Sequence, residues 1–125
     1  MFQISFAGNR GRYPSPDLKK LWDAGKLDNV KQGFYGGELT SENITREHLE
    51  LYKDGGSSSQ ENIVLATLEN NEKRGCGDIL NYYDQDAAEK YLKQFENVEL
   101  PTFSGNKYIQ AIKRTLMKLG IIHLK

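Results

Sequence analysis

Ile63-Val-Leu-Ala-Thr67 is a short, unbroken apolar run, and its boundaries limit what the chain can build around it. Before it lies KDGGSSSQEN, whose two glycines, three serines and turn-forming Asp and Asn make a loop. After it, Leu68 to Lys73 are helix formers, and Gly75 and Gly77 end or interrupt that helix. A run of this length with these boundaries predicts a buried strand. Upstream, the stretch from Asn43 to Tyr52 contains β-formers and alternates at Ile44, Leu49 and Leu51, which predicts another strand. The middle of the chain therefore reads strand, loop, strand, helix.

The flanks read as helices. Ser15 suits an N-cap, Pro16 a first helical turn and Gly25 a terminator, with Leu18, Leu21 and Trp22 on one face, so a short helix is predicted over 15–25. The preceding AGNRGR lacks the Walker spacing of a phosphate loop and reads as a surface loop. Over 84–120 two helices are predicted. Asp84 or Asp86 caps the first, which carries Ala87, Ala88, Tyr91, Leu92 and Phe95, and Pro101 lies beyond its end. Ser104-Gly-Asn106 opens the second, with Ile109, Ile112, Leu116 and Leu119 on one stripe. Lys107, Lys113, Arg114 and Lys118 fall largely elsewhere, as the solvated side of that helix or as contacts for a nucleic-acid backbone.

At 125 residues the chain has material for one domain. No apolar run approaches the ~20 residues of a bilayer span, and MFQISFAGNR has neither a basic leader nor a long apolar stretch. No membrane association and a cytoplasmic location are expected. The lone Cys76 excludes an intramolecular disulfide and a zinc site built on several thiolates. Seventeen basic and seventeen acidic residues give zero formal charge, which by itself argues against a general polyanion binder. The charge is unevenly distributed. Residues 1–35 have six bases against three acids (+3), residues 36–72 two against eight (−6), and residues 73–125 nine against six (+3). An acidic block between basic arms can hold a divalent cation against a phosphate backbone.

Glu47-His48 lies within the first predicted strand. Neighbouring strand residues point to opposite faces, so the pair shares a site only at a strand end or bulge, and the loop near Lys53 supplies one. Gly55-Gly56 follows in the loop. Asn62 then stands directly before Ile-Val-Leu-Ala, and Asn71 comes nine residues later, with Lys73-Arg74-Gly75 behind it. In this order and spacing the segment from Ile44 to Gly75 resembles the HNH endonuclease family, whose core is the ββα-metal finger. That segment is about a quarter of the chain.

The resemblance implies a role for each matching residue. His48 corresponds to the general base that takes a proton from the attacking water. Glu47 corresponds to the acidic metal ligand, usually Asp, and Asn71 to the second ligand, an Asn or His. Asn62 corresponds to the middle Asn of the catalytic set, which holds the His and the loop in place. Lys73 and Arg74 would contact phosphate. Carboxylate and amide oxygens suit one Mg²⁺ or Mn²⁺ ion, with room left for waters and phosphate oxygens. The chain departs from the family in two ways. Aligned with the usual zinc knuckle, the four cysteine positions fall on Gly33, Gly36, Thr67 and Asn70, so no structural zinc is expected. Leu51 stands where many members have Pro, with Glu50 and Asp54 adding negative charge nearby.

The expectation is a single α+β domain over 1–125. It would have a ββα-metal (HNH-type) core at about 34–78 and helical flanks at 15–25 and 84–120. Its expected activity is divalent-metal-dependent hydrolysis of phosphodiester bonds in DNA, with RNA as the other candidate. Two alternatives keep the fold: a catalytically silent nucleic-acid-binding or scaffold module, and a toxin nuclease domain with a targeting or immunity protein as partner.

Overall fold

The computed structural model describes residues 17–122. Among these residues four α-helices and two small antiparallel sheets make a small α+β fold. Strand β1 (Ile44–His48) pairs with β2 (Ile63–Thr67) in a register running from Ile44 opposite Thr67 to His48 opposite Ile63. The Leu49 N–H extends the pairing by one bond, to the Asn62 carbonyl at 2.9 Å. Strand β1 is shorter than the predicted segment. Its pairing stops at His48 because the Asn62 side chain captures both main-chain groups of Glu50. Strand β2 passes without a break into α2 (Leu68–Arg74), capped where the Thr67 hydroxyl accepts from the Asn70 N–H.

All five residues of β2 are buried. A two-stranded hairpin is marginal by itself, so the free edge of β2 needs partners. The Phe34 N–H donates to the Leu65 carbonyl at 2.9 Å, the Leu65 N–H donates to the Tyr91 hydroxyl at 2.9 Å, and the Tyr108 hydroxyl donates to the Ile63 carbonyl at 2.7 Å. The two phenol oxygens lie 2.9 Å apart. Tyr108 has one proton and gives it to Ile63, so Tyr91 must be the donor between them. Burial pushes both phenols well above the usual tyrosine range, which keeps both protons in place.

These tyrosines come from α3 (Gln85–Lys93), capped by Asp84, and α4 (Gly105–Lys118), capped by Ser104. Their apolar stripes meet over β2 in a continuous aromatic contact. Ring centroids are 5.8 Å apart for Phe34–Tyr91, 5.1 Å for Tyr91–Phe95 and 4.8 Å for Phe95–Tyr108. A second hairpin, β3 (Glu99–Leu100) with β4 (Phe103–Ser104), turns the chain between α3 and α4. Two residues per strand are too few to show a period, so the sequence carries no signal for it.

Helix α1 (Leu18–Asp23) differs from the predicted 15–25 segment at its start. Asp17 is its N-cap, accepting from the Lys19 and Lys20 N–H groups; Ser15, Pro16 and the AGNRGR loop lie outside the described residues. Gly25 closes the helix, where the Gly25 and Lys26 N–H groups return to Trp22 and Leu21. Asp17 also accepts both forks of Arg46 from β1, with Nη2 at 2.7 Å, so one carboxylate caps α1 and ties it to the hairpin. Among the described residues no helix is long and apolar enough to cross a membrane.

Two measurements check this framework. Tyr108→Phe strands the buried Ile63 carbonyl, and the urea midpoint is expected to fall by an amount worth about 1–3 kcal/mol. The Arg46 hydrogen bond holds the Asp17 carboxyl below its ordinary value of 3.8, so its contribution is present above that pH and lost as pH falls through the lower folded value. Thermal melts of Asp17→Asn and wild type should differ at neutral pH and converge in acid.

Candidate active site

The site begins with the loop between the strands. Gly55 adopts φ 96°, and a Cβ on Gly56 would lie 1.9 Å from the Glu50 carbonyl oxygen, so the Gly-Gly pair lets the chain fold back onto the end of β1. Asn62 then clamps the loop. Its Oδ1 accepts from the Glu50 N–H at 2.8 Å, and its Nδ2 donates to the Glu50 and Ser57 carbonyls at 2.9 and 2.8 Å. Every polar atom of that buried amide is engaged within the loop, which makes Asn62 a structural clamp. The folded loop brings Ser58 Oγ to 3.2 Å from Nε2 of the half-buried His48.

Glu47 points to the opposite side of β1 and is 3% exposed. Its Oε2 accepts from the Tyr35 hydroxyl at 2.6 Å and from Arg74 Nη1 at 3.1 Å. Burial, together with the Glu47 charge, raises the Tyr35 phenol far above the ordinary tyrosine value and keeps it a donor. Arg74 is 4% exposed and has further acceptors in the His48, Leu49 and Gly77 carbonyls. This corrects the expectation that Arg74 contacts phosphate. The helix phase that aims Asn71 at β1 also aims Arg74 there, three residues later, while Lys73 stays exposed.

Asn71 lies on the seam between α2 and β1. Its Nδ2 donates to Thr45 Oγ1 at 2.9 Å and to the Arg46 carbonyl at 3.2 Å. Thr45 and Glu47 share one strand face, so Asn71 and Glu47 line the same seam while His48 leaves from the strand's other face. The four positions aligned with zinc cysteines also come together. A Cβ on Gly33 would lie 3.2 Å from Ala66 Cα and 3.3 Å from the Thr67 nitrogen, and Asn70 Nδ2 donates to the Gly36 carbonyl at 3.2 Å. Direct main-chain contact joins the 33–37 turn to the start of α2. Leu51 has φ −62°, the value a proline ring imposes.

Carboxylate and amide oxygens are the donor types that a hard cation takes. Glu47 Oε1 and Asn71 Oδ1 accept no hydrogen bond among the described residues, although the carboxylate is buried. Among those residues no cluster of three or more His, Cys, Asp or Glu side chains could hold a metal ion, so a cation at this seam would rest on one carboxylate, one amide and waters. Arg74 offsets the carboxylate charge. Sequence reasoning missed Tyr35 and Ser58 as members of the site. Tyr35 carried a signal only through its place in the knuckle alignment, and Ser58 carried none. For Arg74, the i,i+3 spacing from Asn71 was a usable signal.

The ion pair yields a stability test. Arg74→Met leaves Glu47 buried beside Tyr35 without a countercharge, and chemical denaturation should register a loss of about 3–5 kcal/mol. Adding Glu47→Gln to that variant should recover a large part of the loss, and additive losses would show that the two side chains are not coupled. No family model, no curated protein and no solved structure matches the chain.

Proposed function

We propose that the chain is a divalent-metal-dependent endonuclease of the HNH type that hydrolyses phosphodiester bonds in DNA. The observation that carries this reading is the hairpin-to-helix unit. It sets the half-buried His48 at the end of β1 on one strand face, fixes the loop beside it through Asn62, and lines the β1–α2 seam on the other face with a carboxylate and an amide, each with one oxygen that accepts no hydrogen bond among the described residues.

The residues divide the work as follows. His48 accepts a proton from the attacking water; a half-buried imidazole at a strand end is reachable by solvent and held by its main chain. Asn62 keeps the loop, and with it Ser58, against that ring. Glu47 and Asn71 would hold a Mg²⁺ or Mn²⁺ ion through Oε1 and Oδ1. When bound, such an ion neutralises charge on the scissile phosphate and the leaving oxygen. Lys73, exposed at the end of α2, would contact the phosphate backbone, and the cations of α4 add further positive charge. The net charge of zero means that affinity leans on the bound cation.

One observation favours a second reading, a silent module that keeps the fold. Arg74 already balances the Glu47 charge, which lowers the seam's attraction for a divalent ion. Plasmid DNA separates the two readings. The protein is expected to nick it with Mg²⁺ or Mn²⁺ and to stop with EDTA. His48→Ala should lower the rate by about 10²–10⁴ with the fold intact by circular dichroism. A protein inert on DNA and RNA with Mg²⁺, Mn²⁺, Ni²⁺ and Zn²⁺ is the silent module. Undiminished cleavage by His48→Ala would remove that residue from the mechanism.

A further inference from the structure

We propose that Tyr35 and Arg74 are positioning residues that commit one oxygen of Glu47 and so present the other, together with Asn71 Oδ1, to a divalent cation. The inference deepens the nuclease reading and rests on it. A guanidinium that only neutralises a buried carboxylate gains most by a two-pronged pair, with one N–H to each oxygen. Arg74 does not pair in that way. Only Nη1 reaches Glu47, and only at Oε2, while Nη2 goes to the Leu49 carbonyl and Nε to the Gly77 carbonyl. Tyr35, arriving from the 33–37 turn, donates to the same Oε2 at 2.6 Å.

Two donors from separate parts of the fold thus converge on one oxygen of a buried side chain, and Oε1 is left without a protein partner among the described residues. Such an atom needs a cation or water. One helical turn before Arg74, Asn71 is arranged in the same manner, with Nδ2 committed to β1 and Oδ1 free. Each ligand has one atom fixed and one presented. Arg74 also holds the His48 carbonyl, so one guanidinium sets both the ligand and the base in place. Oxygen donors of this kind suit Mg²⁺ or Mn²⁺. Neighbours that orient a ligand in this way typically change metal affinity 10–100-fold when removed.

The full-length chain is titrated with Mn²⁺ and the free ion is followed by electron paramagnetic resonance, without substrate. Tyr35→Phe keeps the ring against Phe34 and removes only the hydroxyl. Its Mn²⁺ dissociation constant is expected to rise about tenfold or more, with a cooperative metal-free melt. A hydroxyl that serves only the fold would move the melt and leave the dissociation constant unchanged, and that result overturns the proposal. In wild type itself, Mg²⁺ should shift the side-chain N–H resonances of Arg74, and resonances that stay in place through saturation overturn it without any variant. Wild type that binds no Mn²⁺ overturns this inference and the metal-dependent reading together. Wild type and Tyr35→Phe that bind equally well overturn this inference alone.

Discussion

The guanidinium of Arg74 is the interaction on which the centre of the molecule depends. It leaves the last turn of α2 and ends in a space bounded by the end of β1, the Tyr35 turn and the segment after the helix. A buried guanidinium with one carboxylate partner needs acceptors for its other N–H groups, and three main-chain carbonyls supply them. Two of those carbonyls belong to His48 and Leu49, so the ion pair also fixes the exit of β1. Because β1 and α2 share that anchor, Glu47, His48 and Asn71 keep their relative positions.

The other constraint is the exposed edge of a two-stranded hairpin. Proteins cover such edges or lose them to other chains. Here the cover comes from side-chain phenols of two helices and one N–H of a turn. This places α3 and α4 where the hairpin needs them, and the Thr115 hydroxyl donates to the Glu61 carbonyl, joining α4 to the loop beside the site. The 33–37 turn has three tasks. It pairs with β2 through Phe34, packs on the start of α2 through Gly33 and Gly36, and sends Tyr35 to Glu47. In the zinc-knuckle alignment these same positions would be stapled by thiolates. Glycine at position 33 lets the turn approach the backbone of Ala66 and Thr67 directly.

Much of this was legible in the linear chain because its signals are local. The order strand, loop, strand, helix follows from one apolar run between a glycine-serine loop and a helix ending in glycine. The caps Asp84 and Ser104, and the end of α1 at Gly25, were likewise visible in short-range chemistry. The start of α1 was less so. Ser15, Pro16 and Asp17 are all good first-turn residues, and a distant partner, Arg46, adds to the hold on Asp17. The end of β1 was also hidden, since a side-chain amide fourteen residues away captures the next strand residue but one.

At the site the division is sharper. The sequence by itself determined which residue types stand in which order: a carboxylate beside an imidazole, a Gly-Gly loop, an Asn before a buried strand, and an Asn on the following helix. Only the tertiary structure decided what each one touches. It made Arg74 a buried anchor and left Lys73 in solvent, recruited Tyr35 from outside the motif, and committed one oxygen of the Glu47 carboxylate to two donors while the other has none among the described residues. The physical reason lies in separation along the chain. Periodicity and capping are set by neighbours within a few residues, whereas these contacts join residues 12, 27 and 39 apart, and they exist only once strand, turn and helix have packed in a particular phase.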